Sequence, residues 1–243
     1  MTDRVVLVLA SRRDTAAAAF AADRADAGVR LMTPDDLSQE GWAFRLDDPA
    51  RGTAVLAGQP LRAAAIAGVL TRLPGVTEHD LPQIAPDERA YVAAEMNAFL
   101  LAWLTELRCP VVNRPTPQCL SGPPWRQERW VLAAQRLGVP ARPVVRRETD
   151  GAAVADIQPE HAVTVVGRRH FGADDDLLVA RAHALADAAG AQLLTVAFDG
   201  GGHDARFVSA SLWPDFGDFR IADAVLALFR EPRRRSKRGR ATQ

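Results

Sequence analysis

The sequence is short of cysteine, of long apolar runs and of net charge, and each shortage narrows what the chain can be. Two cysteines in 243 residues, Cys109 and Cys119, cannot build a disulfide scaffold, and a chain this long buries enough apolar surface to fold without one. Their spacing matches no zinc pattern and no histidine stands beside them, so core or loop thiols are expected and no metal site. No apolar run approaches the roughly 18 residues of a membrane helix. The apolar run at residues 5–9 is too short for a secretory signal, and a cytoplasmic protein with reduced thiols is expected. Thirty basic residues balance thirty acidic ones. That balance hides an asymmetry, because Arg233, Arg234, Arg235, Lys237, Arg238 and Arg240 crowd the end of the sequence with no acid among them. Setting these six aside leaves 24 basic against 30 acidic residues, a mildly acidic body with a basic tail.

Several chemical signatures are also missing. The turn after the first apolar run reads Ser11-Arg12-Arg13-Asp14 and supplies no glycine where a dinucleotide pyrophosphate would approach. There is no Gly-x-Ser-x-Gly elbow and no Cys/His nucleophile arrangement. The body carries no basic stripe with interleaved aromatics, so nucleic-acid binding would rest on the tail alone; a solvated, disordered tail at 231–243 is expected.

What remains is 48% hydrophobic and 25% charged, the composition of an ordinary globular chain. Residues 5–9 read as a buried strand, 15–27 as an alanine-rich helix stopped by Gly28, and 29–32 as a second strand, so the chain opens β-α-β. Residues 42–46 and 53–57 read as a strand pair joined by the turn at 47–49. An alanine-rich stretch at 61–67 leads into a strand from Gly68. Residues 87–107 carry the clearest helical period, with Tyr91, Met96, Phe99, Leu100, Trp103, Leu104 and Leu107 recurring at helical intervals. A strand at 109–113, a proline-rich loop and a helix over 128–137 follow. Strands are expected within 143–147 and at 162–166, 193–198 and 206–211, with helices over 174–189 and 221–229.

Three of these segments, Ala90-Tyr-Val-Ala-Ala-Glu95, Cys109-Pro-Val-Val-Asn113-Arg114-Pro, and Arg129-Trp130 running to Gly138-Val-Pro140, resemble the ATP-grasp ligases. The match is to those that modify ribosomally made peptides, the graspetide or microviridin type. It covers roughly residues 1–143 and resumes more loosely from Thr164. The resemblance implies an α/β fold in which a Rossmann-like (pre-ATP-grasp) domain at 1–115 precedes a reduced α+β ATP-grasp-like part at 116–230. In that family a lysine beneath a glycine-rich loop meets the nucleotide phosphates, and acidic and Glu-x-Asn residues on late strands hold magnesium. Here residues 144–160 contain no lysine and no glycine-rich loop, and the corresponding late strand reads Val208-Ser-Ala-Ser-Leu. Magnesium needs carboxylate oxygens to bridge transferring phosphates, so the resemblance carries the scaffold and argues against the reaction.

Two loops and one surface remain as candidates. Asp199-Gly-Gly-Gly-His203-Asp204 has the residues to cradle phosphate or a metal, but a turn between strands is its expected role. Asn113 and Arg114 lie in the family segment, either at a groove or as turn-forming residues. Trp125, Arg126, Arg129 and Trp130 combine aromatic faces with guanidinium groups, the composition enriched at interfaces. The reading is therefore a non-catalytic peptide- or partner-binding protein, an accessory in ribosomal peptide natural-product biosynthesis. It has no cofactor, a peptide or partner enzyme as ligand, and a tendency to homodimerise where the missing part leaves surface uncovered. The alternative is an ATP-dependent carboxylate–amine ligase with a minimal site or one completed by another subunit.

Overall fold

The computed structural model describes residues 4–143 and 159–230. Strand β1 (Val5–Leu9) is buried along almost its whole length. Asp14 then caps helix α1 (Thr15–Asp23), its carboxylate accepting the Ala17 N–H at 2.9 Å. A 3-10 turn over Ala25–Ala27 ends on Gly28, which takes the left-handed φ of 80° that a side chain would resist. Strand β2 (Val29–Met32) returns parallel to β1. Thr33 opens the short helix α2 (Pro34–Leu37).

The next pairing differs from the expected one. Residues 42–46 form no strand and touch 53–57 only through a single bridge, Ala43 to Thr53. Instead β3 (Thr53–Leu56) pairs with β4 (Gln59–Arg62) around Ala57-Gly58, both at positive φ (49° and 72°). Such a two-residue hairpin matches strand twist, and the Asp36 carboxylate accepts the Ala57 N–H at 2.8 Å to hold it. Trp42 and Phe44 are drawn away to the core, where Trp42 meets Phe99 and Trp103 edge-on at 5.4 Å each. The alanines at 63–65 form a 3-10 turn leading into β5 (Ile66–Thr71).

Helix α3 (Arg89–Glu106) follows, then β6 (Val111–Val112), completing a parallel sheet ordered β2-β1-β5-β6. Because side chains alternate along a strand, Leu7 and Leu9 face α3, where Leu100, Trp103 and Leu104 are buried. Val6, Val8 and Leu70 face the other way, onto Phe20 of α1.

Helix α4 (Gln127–Arg136) leads to the second half, where β7 (His161–Val166), β8 (Arg169–Gly172), α5 (Asp176–Ala189), β9 (Leu193–Asp199) and β10 (Arg206–Ser211) follow. The sheet is antiparallel, ordered β10-β9-β7-β8. Strand β8 was not among the expected elements; its Arg-His-Phe-Gly sequence has no apolar alternation, because it is an edge strand with mostly exposed residues. Expected strand residues 144–147 and the tail lie outside the described residues. One face of this sheet, with Val163, Val165, Val196 and Phe198, packs on Leu178, Ala182 and Leu185 of α5 and on Trp130 and Ala134 of α4.

The last helix, α6 (Phe219–Arg230), lies between the two sheets. Its buried residues include Ile221, Val225, Leu226 and Phe229, in one core with Val8, Leu70, Val166 and Leu193. Phe229 presses so closely on β5 that a methyl group at Gly68 would lie 2.1 Å from its ring. The result is a mixed α/β protein, a parallel layer followed by an antiparallel one.

Candidate partner-binding groove

Between α4 and the end of α5 the surface dips into a groove of about 640 Å³. It is lined by Trp125, Glu128, Arg129, Leu132, Ala133, Arg136, Leu137 and Ala188. The local sequence explains the shape. Trp130 and Ala134 point down into the core, 3% and 0% exposed, while Leu132 and Leu137 remain 46% and 42% exposed. Ala133 and Ala188 keep the floor low because they carry only methyl groups.

The six expected site residues divide here. Trp125, Arg126 and Arg129 reach the surface around the start of α4. The Arg129 guanidinium stacks over the Trp125 ring at 4.6 Å, and that ring tilts against Trp130 at 4.7 Å. Trp130 is a core residue that supports Trp125 from beneath and has almost no surface to offer a partner. Asn113, 2% exposed, is turned inward. Its Oδ1 accepts the N–H groups of Gln192 and Leu193 at 2.8 and 2.9 Å, and its Nδ2 donates to the Leu193 carbonyl at 2.9 Å. The side chain thus ties the end of β6 to the start of β9 and does not line the groove. Arg114 beside it is exposed and also lies outside the groove lining. The groove instead recruits Leu132, Arg136 and Leu137. Their signal was legible: Arg129, Leu132 and Arg136 recur at helical intervals on the side of α4 opposite Trp130 and Ala134.

The glycine-rich loop is a turn. Asp175 caps α5 through the Leu177 and Leu178 N–H groups and also accepts the Gly202 N–H at 2.8 Å. The Gly202 amide first, then that of Leu178, hold its carboxyl below the ordinary carboxylate range. Arg181 donates to the carbonyls of Gly202, His203 and Ala205, and Asp199 is ion-paired with Arg142. The loop's polar groups are largely spent on the protein itself.

A second polar centre stands at the carboxyl end of β5. Arg72 forms a forked pair with Asp14 (2.7 and 3.2 Å), donates to the Pro214 carbonyl at 3.2 Å, and lies 5.9 and 5.2 Å from the Trp213 and Phe216 rings. This crevice at strand ends is where open α/β sheets bind ligands, and here the chain's own 213–216 segment lies against it. A lone arginine closing a strand carries no spacing signal in the sequence.

No family model matches the chain, and no curated protein matches it significantly. Solved structures do. A macrocyclase, MdnC, bound with precursor peptide MdnA from Microcystis aeruginosa MRC superposes with a TM-score of 0.66 at 10% identity, over 93% of this chain and 99% of that one. The ATP-grasp ligase PsnB, complexed with minimal precursor, Mg and ADP, gives 0.62 at 14% identity over 95% and 99%. A Chryseobacterium gregarium RiPP-associated ATP-grasp ligase in complex with ADP and a leader and core peptide gives 0.64 at 10% identity over 95% and 98%. The fold is that of the ATP-grasp peptide ligases. At these identities the likeness concerns the fold alone, and the ATP-grasp chemistry has to be tested on the residues present. On β10, where the resemblance places a carboxylate and an amide for magnesium, stand Ser209 and Ser211. Among the described residues no three His, Cys, Asp or Glu side chains gather as a metal site, and Asp199 of the adjacent strand is already paired with Arg142. Ser209 and Ser211 of β10 themselves supply no anionic oxygen for a magnesium ion. Among the described residues no helix is long and apolar enough to cross a membrane.

Proposed function

We propose that this protein binds a peptide or a partner enzyme in ribosomal peptide natural-product biosynthesis and does not itself ligate. The observation that carries the reading is β10, whose Ser209 and Ser211 offer hydroxyls in place of the anionic oxygens that magnesium requires. The chain's one lysine, Lys237, belongs to the basic tail, so no lysine stands among residues 1–230 to meet a phosphate. The solved ligases of the same fold carry precursor peptides, which supports a peptide as the ligand class. The test is calorimetric titration with ATP and magnesium, together with an ADP-release assay in the presence of a graspetide precursor peptide. No heat and no ADP are expected. Binding at micromolar nucleotide, or ADP release with peptide present, would overturn the non-catalytic reading.

A further inference from the structure

We infer that the trough along α4 and the end of α5 is the docking site for an acidic amphipathic helix, one that carries an apolar side chain between two carboxylates two turns apart. The inference rests on the binding reading above and identifies the site and the chemistry of its ligand.

Charge sets the sign of the partner. Arg129 and Arg136 are seven residues apart on one helix, hence about 10 Å apart along its axis and on the same side. Among the described residues neither forms an ion pair, nor does Arg126 at the head of the helix. The unmatched row stands on a body in which 30 acids outnumber 24 bases once the tail is set aside, so it is a local reversal of the surrounding sign. Arg129 is already fixed over the Trp125 ring, which lowers the entropy lost when it grips a carboxylate.

Apolar surface sets the middle of the partner. Leu132 lies between the two arginines and is 46% exposed, with Leu137 beside it at 42%. An apolar side chain seated there is flanked at both ends by guanidinium groups.

Backbone chemistry sets the conformation. The groove lies against helices, whose N–H and C=O groups bond within their own turns. An extended peptide would find no backbone partner on α4 or α5, and its own peptide groups would be desolvated against leucine without replacement. A helix satisfies its own backbone and brings only side chains to the contact. The methyl floor of Ala133 and Ala188 lets such a helix approach closely.

The probe is a fluorescein-labelled synthetic helix of about 16 residues in an alanine–glutamine host, with glutamates seven apart and leucine midway, titrated into the full chain and followed by anisotropy. Saturable binding is expected, weakening about fivefold or more between roughly 50 and 300 mM NaCl. The double variant Arg129→Glu/Arg136→Glu should lose that binding and recover it with a probe whose two glutamates are lysines. Leu132→Asp should lose binding to both probes. All three positions are exposed, and circular dichroism verifies that the variants fold. No binding up to millimolar probe, binding indifferent to the charge reversal, or equal binding of a proline-interrupted probe of the same composition would each overturn the inference. Nucleotide titration of the same sample keeps the two readings apart: ATP binding defeats the non-catalytic reading and leaves the groove result standing, whereas probe failure without ATP binding defeats the groove alone.

Discussion

Replacing Asp14 by asparagine tests what holds the start of α1, the end of β5 and the 213–216 segment together. The Arg72 side chain is 7% exposed and that of Asp14 16%, so the pair is screened little by solvent. Both nitrogens of the guanidinium fork are engaged, at 2.7 and 3.2 Å. Asparagine keeps an oxygen to cap the Ala17 N–H, so the helix cap survives and only the charge is lost. Arg72 is then left buried with a carbonyl and two aromatic faces in place of an anion, a loss of about 3–5 kcal/mol by the behaviour of buried pairs deprived of one partner. Exposed pairs such as Arg108–Asp48 contribute about 1 kcal/mol or less and set the contrast. The assay is urea unfolding of wild type, Asp14→Asn, Arg72→Met and the double variant, followed by tryptophan fluorescence and circular dichroism. The double variant should lose clearly less than the two singles summed, because each single leaves the other group stranded. The pH dependence gives a second readout. Burial pushes the Asp14 carboxyl up, but the hydrogen bonds from Arg72 and the Ala17 amide and the attraction of the guanidinium outweigh it and hold the group below its ordinary value of 3.8. A carboxyl depressed in the folded state stabilises the fold above its unfolded value, and that contribution disappears as pH falls through the folded one. Wild type should therefore lose stability from about pH 5 downward more steeply than Asp14→Asn. A single-variant loss under about 0.5 kcal/mol, or strictly additive losses, would refute the reasoning.

Two further substitutions address the joint between the sheets. Asn113→Ala strands the buried N–H and carbonyl of Leu193 and the half-buried N–H of Gln192 and should destabilise by about 2–4 kcal/mol in urea melts, whereas Asn113 at a partner surface would lower ligand affinity and leave the melt unchanged. Gly68→Ala drives a methyl group into the Phe229 ring and should cost about 1–3 kcal/mol by thermal melting; pairing it with Phe229→Leu should recover part of the loss.

Much of this fold was readable from pattern, because strong local patterns coincide with long-range needs. The buried run at β1, the helical period of α3 and the Gly190 stop after α5 all agree with the structure to within a few residues. The readings that differed concern residues whose role is decided by distant neighbours. Residues 42–46 look like a strand, but Trp42 and Phe44 gain more by packing on α3 than by pairing. Strand β8 has no period because an exposed edge imposes none.

The candidate site divides the same way. Aromatic and basic residues at 125–130 marked the region, and composition alone determined that the row on α4 is cationic on an acidic body. Only the packing of α4 against β10 and α5 decided which tryptophan is core and which is surface, since the two stand five residues apart and just one can face the sheet. Asn113 reads in sequence as a polar residue beside an arginine and a proline. Its burial between β6 and β9 is a property of two strands eighty positions apart, and hydrogen bonding across that distance is set by how the sheets dock. The sequence by itself also decided the chemistry that β10 can offer, because Ser209 and Ser211 are hydroxyls wherever the strand lies.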